Sequence, residues 1–346
     1  MKKAFLFLLI FVFCTLSAQE GGEPMAPLFR DPITDGAADP CVIYNPFEES
    51  WWMLYTQRRA NVETADVAYC YGNKIGVAYS TDHGVTWRYR GTLDLEFDRG
   101  TNTFWAPEVV CFEGVYHMFV SYIEGVSNHW SGQARMAHYV SINLWDWEFK
   151  GFIALEGDVI DATLHQLANG TWRMWYKYKN VTYYADSKDL YTWVPYGTPA
   201  VSDQNHEGAN VFQFRDSYWM ITDQWAGMGV YRSNDLEKWY KQDQLLLDEG
   251  SQRKDDYPSG AHGDVVVIDG QAYIFYFTHP GRRFHTKDYH DKNGNIPYEM
   301  RRSSIQVAEL DVINNCLVVK DRNKPISIYL PHHYCPLKIL HRKIVD

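Results

Sequence analysis

The feature that most restricts the fold is a degenerate internal repeat. Trp51-Trp52-Met53-Leu54-Tyr55-Thr56, Tyr116-His117-Met118-Phe119-Val120-Ser121, Trp172-Arg173-Met174-Trp175-Tyr176-Lys177, Tyr218-Trp219-Met220-Ile221-Thr222-Asp223 and Ala272-Tyr273-Ile274-Phe275-Tyr276-Phe277 share one strand pattern. Each is preceded by another strand with a polar opening: Ala38-Asp39-Pro40, Ala106-Pro107-Glu108, Ile160-Asp161-Ala162, His206-Glu207-Gly208 and Ala261-His262-Gly263. In four units a third strand follows, with a turn that ends at Trp87, Trp147, Trp193 or Trp239; Ser303-Ser304-Ile305-Gln306-Val307-Ala308 fills that slot in the fifth. The openings recur about every 56 residues, and units of that size with short strands and Gly, Asp or Asn turns are propeller blades. Helical periodicity is nearly absent, which excludes the parallel α/β folds. The expectation is an all-β chain, a five-bladed β-propeller over roughly 25–325, with 326–346 as a tail packed on it and no linker to a second domain.

The first residues set the compartment. Lys2 and Lys3 precede an apolar run from Ala4 to Leu16 that ends in the small residues Ser17 and Ala18. That pattern reads as a cleaved secretory signal over 1–18, too short to remain as a membrane span, and predicts a secreted or periplasmic protein. No later stretch is long and apolar enough to cross a bilayer. The chain carries a formal charge of −10 and no basic run, which argues against nucleic acid and anionic membrane surfaces as partners. Five cysteines remain after the leader, with spacings that fit neither a zinc site nor a dense disulfide framework; a Cys316–Cys335 bridge stays open. Oligomeric state is not legible.

Aromatic content is the compositional outlier, with 13 Trp, 25 Tyr and 17 Phe. Most of it suits a β core, and the excess suits stacking on the C–H faces of sugar rings. Ser80-Thr81-Asp82-His83-Gly84-Val85-Thr86-Trp87 matches the Asp-box of sialidases once in full. Its preferred reading is structural, with Asp82 capping the turn and Trp87 packing between blades.

Inner strands of a propeller converge on its axis, so the five openings gather Asp39, Glu108, Asp161, Glu207 and His262. Carboxylates crowded there repel one another and raise at least one pKa, which marks a candidate functional site. Glycoside hydrolysis needs such a set: one carboxyl group protonated to assist the leaving oxygen, another ionised to activate water or attack the anomeric carbon.

At these motifs the chain resembles glycoside hydrolase family 43, the five-bladed arabinanase, xylosidase and arabinofuranosidase group. Ala38-Asp39-Pro40 resembles the family's general-base motif, and Trp105-Ala106-Pro107-Glu108-Val109 its second-blade signature. Val159-Ile160-Asp161 resembles the segment with the pKa-modulating aspartate, and His206-Glu207-Gly208 the general-acid segment. Ala261-His262-Gly263-Asp264-Val265 and Phe277-Thr278-His279-Pro280-Gly281-Arg282 resemble the fifth-blade histidine and arginine. Ala162 and Ala209 stand where the family usually has proline.

The resemblance implies an inverting hydrolase of plant or algal oligosaccharides, with Asp39 as base, Asp161 as modulator and Glu207 as acid; the leader would make it secreted, and two long insertions, about Asn61–Tyr71 and Asp94–Thr103, would wall one side of the pocket and favour exo cleavage. It needs no cofactor, though His262 is a candidate ligand of a structural calcium at the axis. Glu108, Trp105, His206, Trp225 and Arg282 are the expected substrate contacts, with Trp130 and Arg283 as further candidates; Asp31 and Asp35 compete with Asp39. Three alternatives stay open: an anhydrogalactosidase-type enzyme with His206 as acid, a sialidase-like hydrolase, and a non-catalytic sugar-binding propeller.

Overall fold

A computed structural model describes residues 21–97, 102–283 and 289–332. The expected leader, Cys335 and the end of the tail lie outside the described residues. Five four-stranded antiparallel sheets follow one another along the chain, each in sequential strand order. Blade 1 is β1 (Ala37–Asn45), β2 (Ser50–Gln57), β3 (Lys74–Ser80) and β4 (Arg88–Thr92); blade 2 is β5 (Thr103–Phe112), β6 (Val115–Ile123), β7 (Arg135–Ser141) and β8 (Glu148–Phe152). Blade 3 is β9 (Ile160–Gln166), β10 (Trp172–Tyr178), β11 (Val181–Ser187) and β12 (Trp193–Pro195); blade 4 is β13 (Glu207–Phe214), β14 (Ser217–Asp223), β15 (Met228–Ser233) and β16 (Tyr240–Lys241). Blade 5 is β17 (Ala261–Ile268), β18 (Gln271–Thr278), β19 (Ser304–Ile313) and β20 (Cys316–Val319). The helical elements described are a 3-10 turn at Asp66–Cys70 and one short turn, α1, at Tyr298–Arg301.

The repeated strand pattern explains the packing. Successive side chains of a strand face opposite sides of its sheet, and in a propeller both sides meet a neighbouring blade. Trp51 and Met53 accordingly pack with Val266, Tyr273 and Phe275 of blade 5, while Trp52 and Leu54 pack with Val109, Tyr116 and Met118 of blade 2. Phe119 faces blade 3, beside Leu164 and Trp172. The buried Trp175 and Met220 pack between blades 3 and 4, and Trp219 and Ile274 between blades 4 and 5.

The tryptophan turns act as structural clasps. In blade 1, Asp82 Oδ1 accepts the Thr86 N–H at 2.9 Å, and the Trp87 indole donates to the Gly84 carbonyl at 3.0 Å. Trp147 and Trp193 donate in the same way to Leu144 and Leu190 at 2.9 and 3.1 Å. Closure of the ring uses both ends of the described chain: Gly22 pairs with Ile328, Phe29 with Ile305, and the Trp51 indole donates to the Leu330 carbonyl at 3.1 Å.

What positions the site is a bulge near the start of every inner strand. The first bulged residue has positive φ in all five blades: Asp39 at 50°, Ala106 at 46°, Asp161 at 59°, Gly208 at 56° and His262 at 35°. Bulges of this kind re-aim a side chain out of the pleat. These five are the structural equivalents, which corrects the alignment expected from polar residues in two blades. Glu108 stands two residues beyond Ala106, the first bulged residue of blade 2, and Glu207 one residue before the bulge of blade 4.

Two residues past each bulge, a second ring of side chains ties blade to blade. Glu108 Oε1 accepts the Leu164 N–H at 2.9 Å, and Thr163 Oγ1 accepts that of Val211 at 3.3 Å. Asn210 Oδ1 accepts the Val265 N–H at 3.2 Å and Asp264 Oδ2 that of Val42 at 2.7 Å, while the Cys41 thiol lies 3.9 Å from Glu108 Oε2. Burial, then the charge of Asp264, pushes Glu108 up to about 8. It sits there as a neutral acid within an inter-blade clasp.

A histidine pair between blades 2 and 3 makes the fold sensitive to acid. His117 Nδ1 lies 3.0 Å from His138 Nε2, both rings are buried, and His138 stacks on Phe119. Burial lowers His117 to about 4 and His138 to about 3. The unfolded chain therefore binds more protons than the folded one below about pH 6.5. The pair's contribution is complete above that value and is lost as pH falls toward 4, by up to about 1.4 kcal/mol per pH unit for each ring. A His117→Gln/His138→Gln variant is expected to lose less Tm than wild type between neutral pH and pH 5; parallel losses would refute the pair as the cause.

Candidate active site

On one side of the axis opening stands Asp39, 5 % exposed. Arg58 Nη2 lies 3.3 and 3.4 Å from its two oxygens, and His262 Nδ1 lies 3.4 Å from Oδ1. Burial would raise this carboxyl, but Arg58 and His262 outweigh it and hold it well below the usual carboxylate range. Arg58 is itself positioned: its guanidinium packs over the Phe277 ring, and Nη1 lies 3.4 Å from His279 Nε2. His279 Nδ1 is 3.0 Å from the Arg302 carbonyl, which can only accept, so Nδ1 carries the proton and Nε2 receives Arg58. Burial, then Arg282 and Arg58, keeps that histidine neutral.

On the other side stands Glu207, whose side chain is 29 % exposed. Its Oε1 accepts the Trp225 indole N–H at 2.9 Å and its Oε2 the Lys177 ammonium at 2.8 Å. Asp161 joins the two halves. Its Oδ2 accepts the Gly208 N–H at 3.1 Å, and burial, reinforced by Glu207, raises it to about 6 while His262 and Lys177 oppose. Burial would lower His262, but the charges of Asp161, Asp39 and Asp223 raise it to about 10, so it is an imidazolium at neutral pH.

Arg58, Lys177 and Asp223 were not among the expected site residues. Lys177 and Asp223 hold one register position, the residue of the second strand opposite the one before the bulge: Thr56, Ser121, Lys177, Asp223 and Phe277 in blades 1 to 5. Thr56 and Ser121 accept the bulge N–H of the following blade, from Ala106 and Asp161. Lys177 cannot accept, and Asp161 takes over the N–H of Gly208. The signal was present in sequence as the last residue of each repeated segment.

Aromatic side chains flank the opening. Trp105 donates its indole N–H to the Cys70 carbonyl at 2.6 Å and meets Tyr71 edge-on at 5.0 Å, with Trp130 beyond at 6.2 Å. Trp130 is 66 % exposed and Trp225 55 %. Arg282 is held by the Met300 carbonyl at 3.0 Å and the Tyr69 hydroxyl at 2.8 Å, and Arg283 is exposed. Tyr69 and Tyr71 come from the 61–71 insertion between β2 and β3, which packs against Ile123 and Trp105; part of the 94–103 insertion lies outside the described residues.

Three expectations are corrected by placement. His206 is fully buried, with its ring 2.7 Å from Thr182 Oγ1 and 2.8 Å from the Gln204 carbonyl. Burial lowers its pKa, and it faces the third strands of blades 3 and 4 rather than the opening. Glu108 belongs to the clasp below the site. The His262 ring faces Asp39 at 3.4 Å, and no three His, Cys, Asp or Glu side chains among the described residues converge to hold a metal ion beside it. The competitors of Asp39 are occupied elsewhere. Asp31 staples its own loop, accepting the Ile33 and Thr34 N–H groups at 2.8 and 2.6 Å, and Asp35 pairs with Arg30 at 2.9 Å.

No protein-family model matches the sequence, and no curated protein resembles it at a significant level. Solved structures do resemble the fold. A thermostable family-43 glycoside hydrolase is 18 % identical, with a TM-score of 0.60 over 87 % of this chain and 99 % of its own. An exo-1,5-α-L-arabinanase from a bovine ruminal metagenomic library is 15 % identical, with a TM-score of 0.59 over 86 % of this chain and 100 % of its own. A family-43 enzyme from Xanthomonas citri, complexed with xylose, is 14 % identical, with a TM-score of 0.59 over 90 % of this chain and 94 % of its own. The chain has the fold of the family-43 glycoside hydrolases.

Proposed function

We propose that the protein is a secreted glycoside hydrolase that cleaves short oligosaccharides with inversion, using Asp39 as base and Glu207 as acid. The observation that carries this reading is the asymmetry of the two carboxylates across one opening. Asp39 is buried between Arg58 and His262 and stays ionised, as a group that orients and deprotonates water must. Glu207 is the more accessible, and its neighbours Trp225 and Lys177 are hydrogen-bond donors that a substrate hydroxyl can replace. Asp161 lies between them and is the natural modulator of both. Retention by a covalent route would ask Asp39 to attack carbon while clamped by two cations, which argues for water as the nucleophile.

The walls suggest what is bound. Trp225 and Trp130, 55 and 66 % exposed, offer flat faces for stacking on sugar rings, and favour a neutral pentose or hexose chain approached from its end. Arg58, Lys177 and His262 each face a carboxylate, which favours a neutral sugar at the centre of the opening. Relatives in fold carry xylose, xylotriose and arabinan among their ligands or substrates, so xylo- and arabino-oligosaccharides head the panel. Incubation with such a panel, with reducing ends measured for wild type and Glu207→Gln, is expected to give turnover only with wild type. Binding without turnover of any member would favour a sugar-binding propeller instead.

A further inference from the structure

One buried carboxylate of the opening has no part in that scheme. Asp223 is 3 % exposed and pairs directly across the strand with Glu207. In blades 1 and 2 the same register position is a hydroxyl, Thr56 or Ser121, that accepts the next blade's bulge N–H at 2.8 or 3.0 Å. Blade 4 needs the same contact, and Asp223 Oδ2 accepts the His262 N–H at 3.0 Å. A hydroxyl would serve for that, and an anion is far more costly to bury. The second oxygen explains the choice. Oδ1 accepts the Trp225 N–H at 2.7 Å, fixing a residue at φ 60° whose indole N–H then reaches Glu207.

We propose that Asp223 is a positioning residue for the hydrolysis, a single carboxylate that holds the Trp225 indole on Glu207 and His262 against Asp39. This rests on the glycosidase reading and gives that site one more working part. Through it the proton-donor side and the water side share one anchor. The charged groups facing Asp223 are Glu207 across the strand, Lys177 from β10 and His262 from β17, with Asp161 and Asp39 beyond. Its charge helps keep His262 an imidazolium. Two carboxyls set side by side do not both ionise readily, and burial with Glu207 pushes Asp223 up to about 7.

The test compares wild type with Asp223→Thr and Asp223→Asn. Thr restores the acceptor used in blade 1 but neither the charge nor the second oxygen. Asp223→Thr is expected to fold, to lose roughly 10- to 100-fold in kcat with little change in KM, and to show the alkaline limb of kcat/KM at lower pH. Its His262 ring, followed by NMR, is expected to titrate at lower pH than in wild type. A Thr variant with wild-type kcat and pH profile, or with His262 titrating unchanged, would reduce Asp223 to a clasp like Thr56 and overturn the proposal. If neither variant folds, Trp225→Phe removes the indole N–H that reaches Glu207 together with part of the ring face; a fall in kcat with KM unchanged supports the proposal, and an unchanged kcat, or a loss confined to KM, overturns it. Failure of the glycosidase reading is distinct: wild type then turns over nothing, while the His262 titration still reports on Asp223.

Discussion

Replacing Glu207 with Gln is expected to cost roughly 10²- to 10⁴-fold in kcat on an oligosaccharide, and far less on a nitrophenyl glycoside. A sugar alkoxide is a poor leaving group and must take a proton as the bond breaks. Nitrophenolate leaves without one. The substitution keeps shape and one hydrogen-bond acceptor beside Trp225 and Lys177, so binding should survive. Parallel steady-state kinetics on the two substrates separate the outcomes. An equal loss on both would mean that Glu207 orients substrate rather than donating a proton.

The second large effect is expected at Asp39. Asp39→Asn should remove turnover by roughly 10²- to 10⁴-fold on both kinds of substrate, because water must be deprotonated whatever leaves. It should also destabilise the fold. The partly buried Arg58 and His262 lie against the buried Asp39 at 3.3 and 3.4 Å, and removing one partner of a buried pair costs on the order of 3–5 kcal/mol. Asp161 remains to compensate His262, so the lower end is expected. The ion pair also has a pH sign. Because the folded-state pKa of Asp39 is depressed, its contribution is present above the ordinary carboxylate range and is lost only as pH falls below it. Urea unfolding of wild type and variant at neutral pH measures the difference. An Asn variant as stable as wild type would show that the cations are not held by that carboxylate.

Much of the architecture was legible because a propeller repeats one solution. Bulky residues on both faces of each second strand, as in Trp51 and Trp52, have a place only where a sheet is covered on both sides. The axis was less legible. Aligning the inner strands on polar residues selected Glu108 and Glu207, yet the bulge makes Ala106 and Gly208 the equivalents of Asp39. A bulge adds one residue without a composition signal, so its position cannot be counted from sequence. The pattern Asp-Pro, Ala-Pro, Asp-Ala, Gly-Ala and His-Gly across the five blades hides a shared backbone conformation rather than a shared side chain. Arg58, Lys177 and Asp223 were passed over because they end second strands, where a polar residue looks like the edge of a core. His206 attracted notice by adjacency to Glu207, but neighbours along a strand face opposite ways, and its ring turned into the inter-blade packing.

The most direct test of the account is the anomeric configuration of the first product. Wild type is added to a xylo- or arabino-oligosaccharide that it cleaves, and proton NMR follows the anomeric signals before mutarotation equilibrates them. Attack by water activated at Asp39 gives a first-formed sugar with the configuration opposite to the bond cleaved. A first product of retained configuration would contradict it, and would make one of these carboxylates a nucleophile instead of a base.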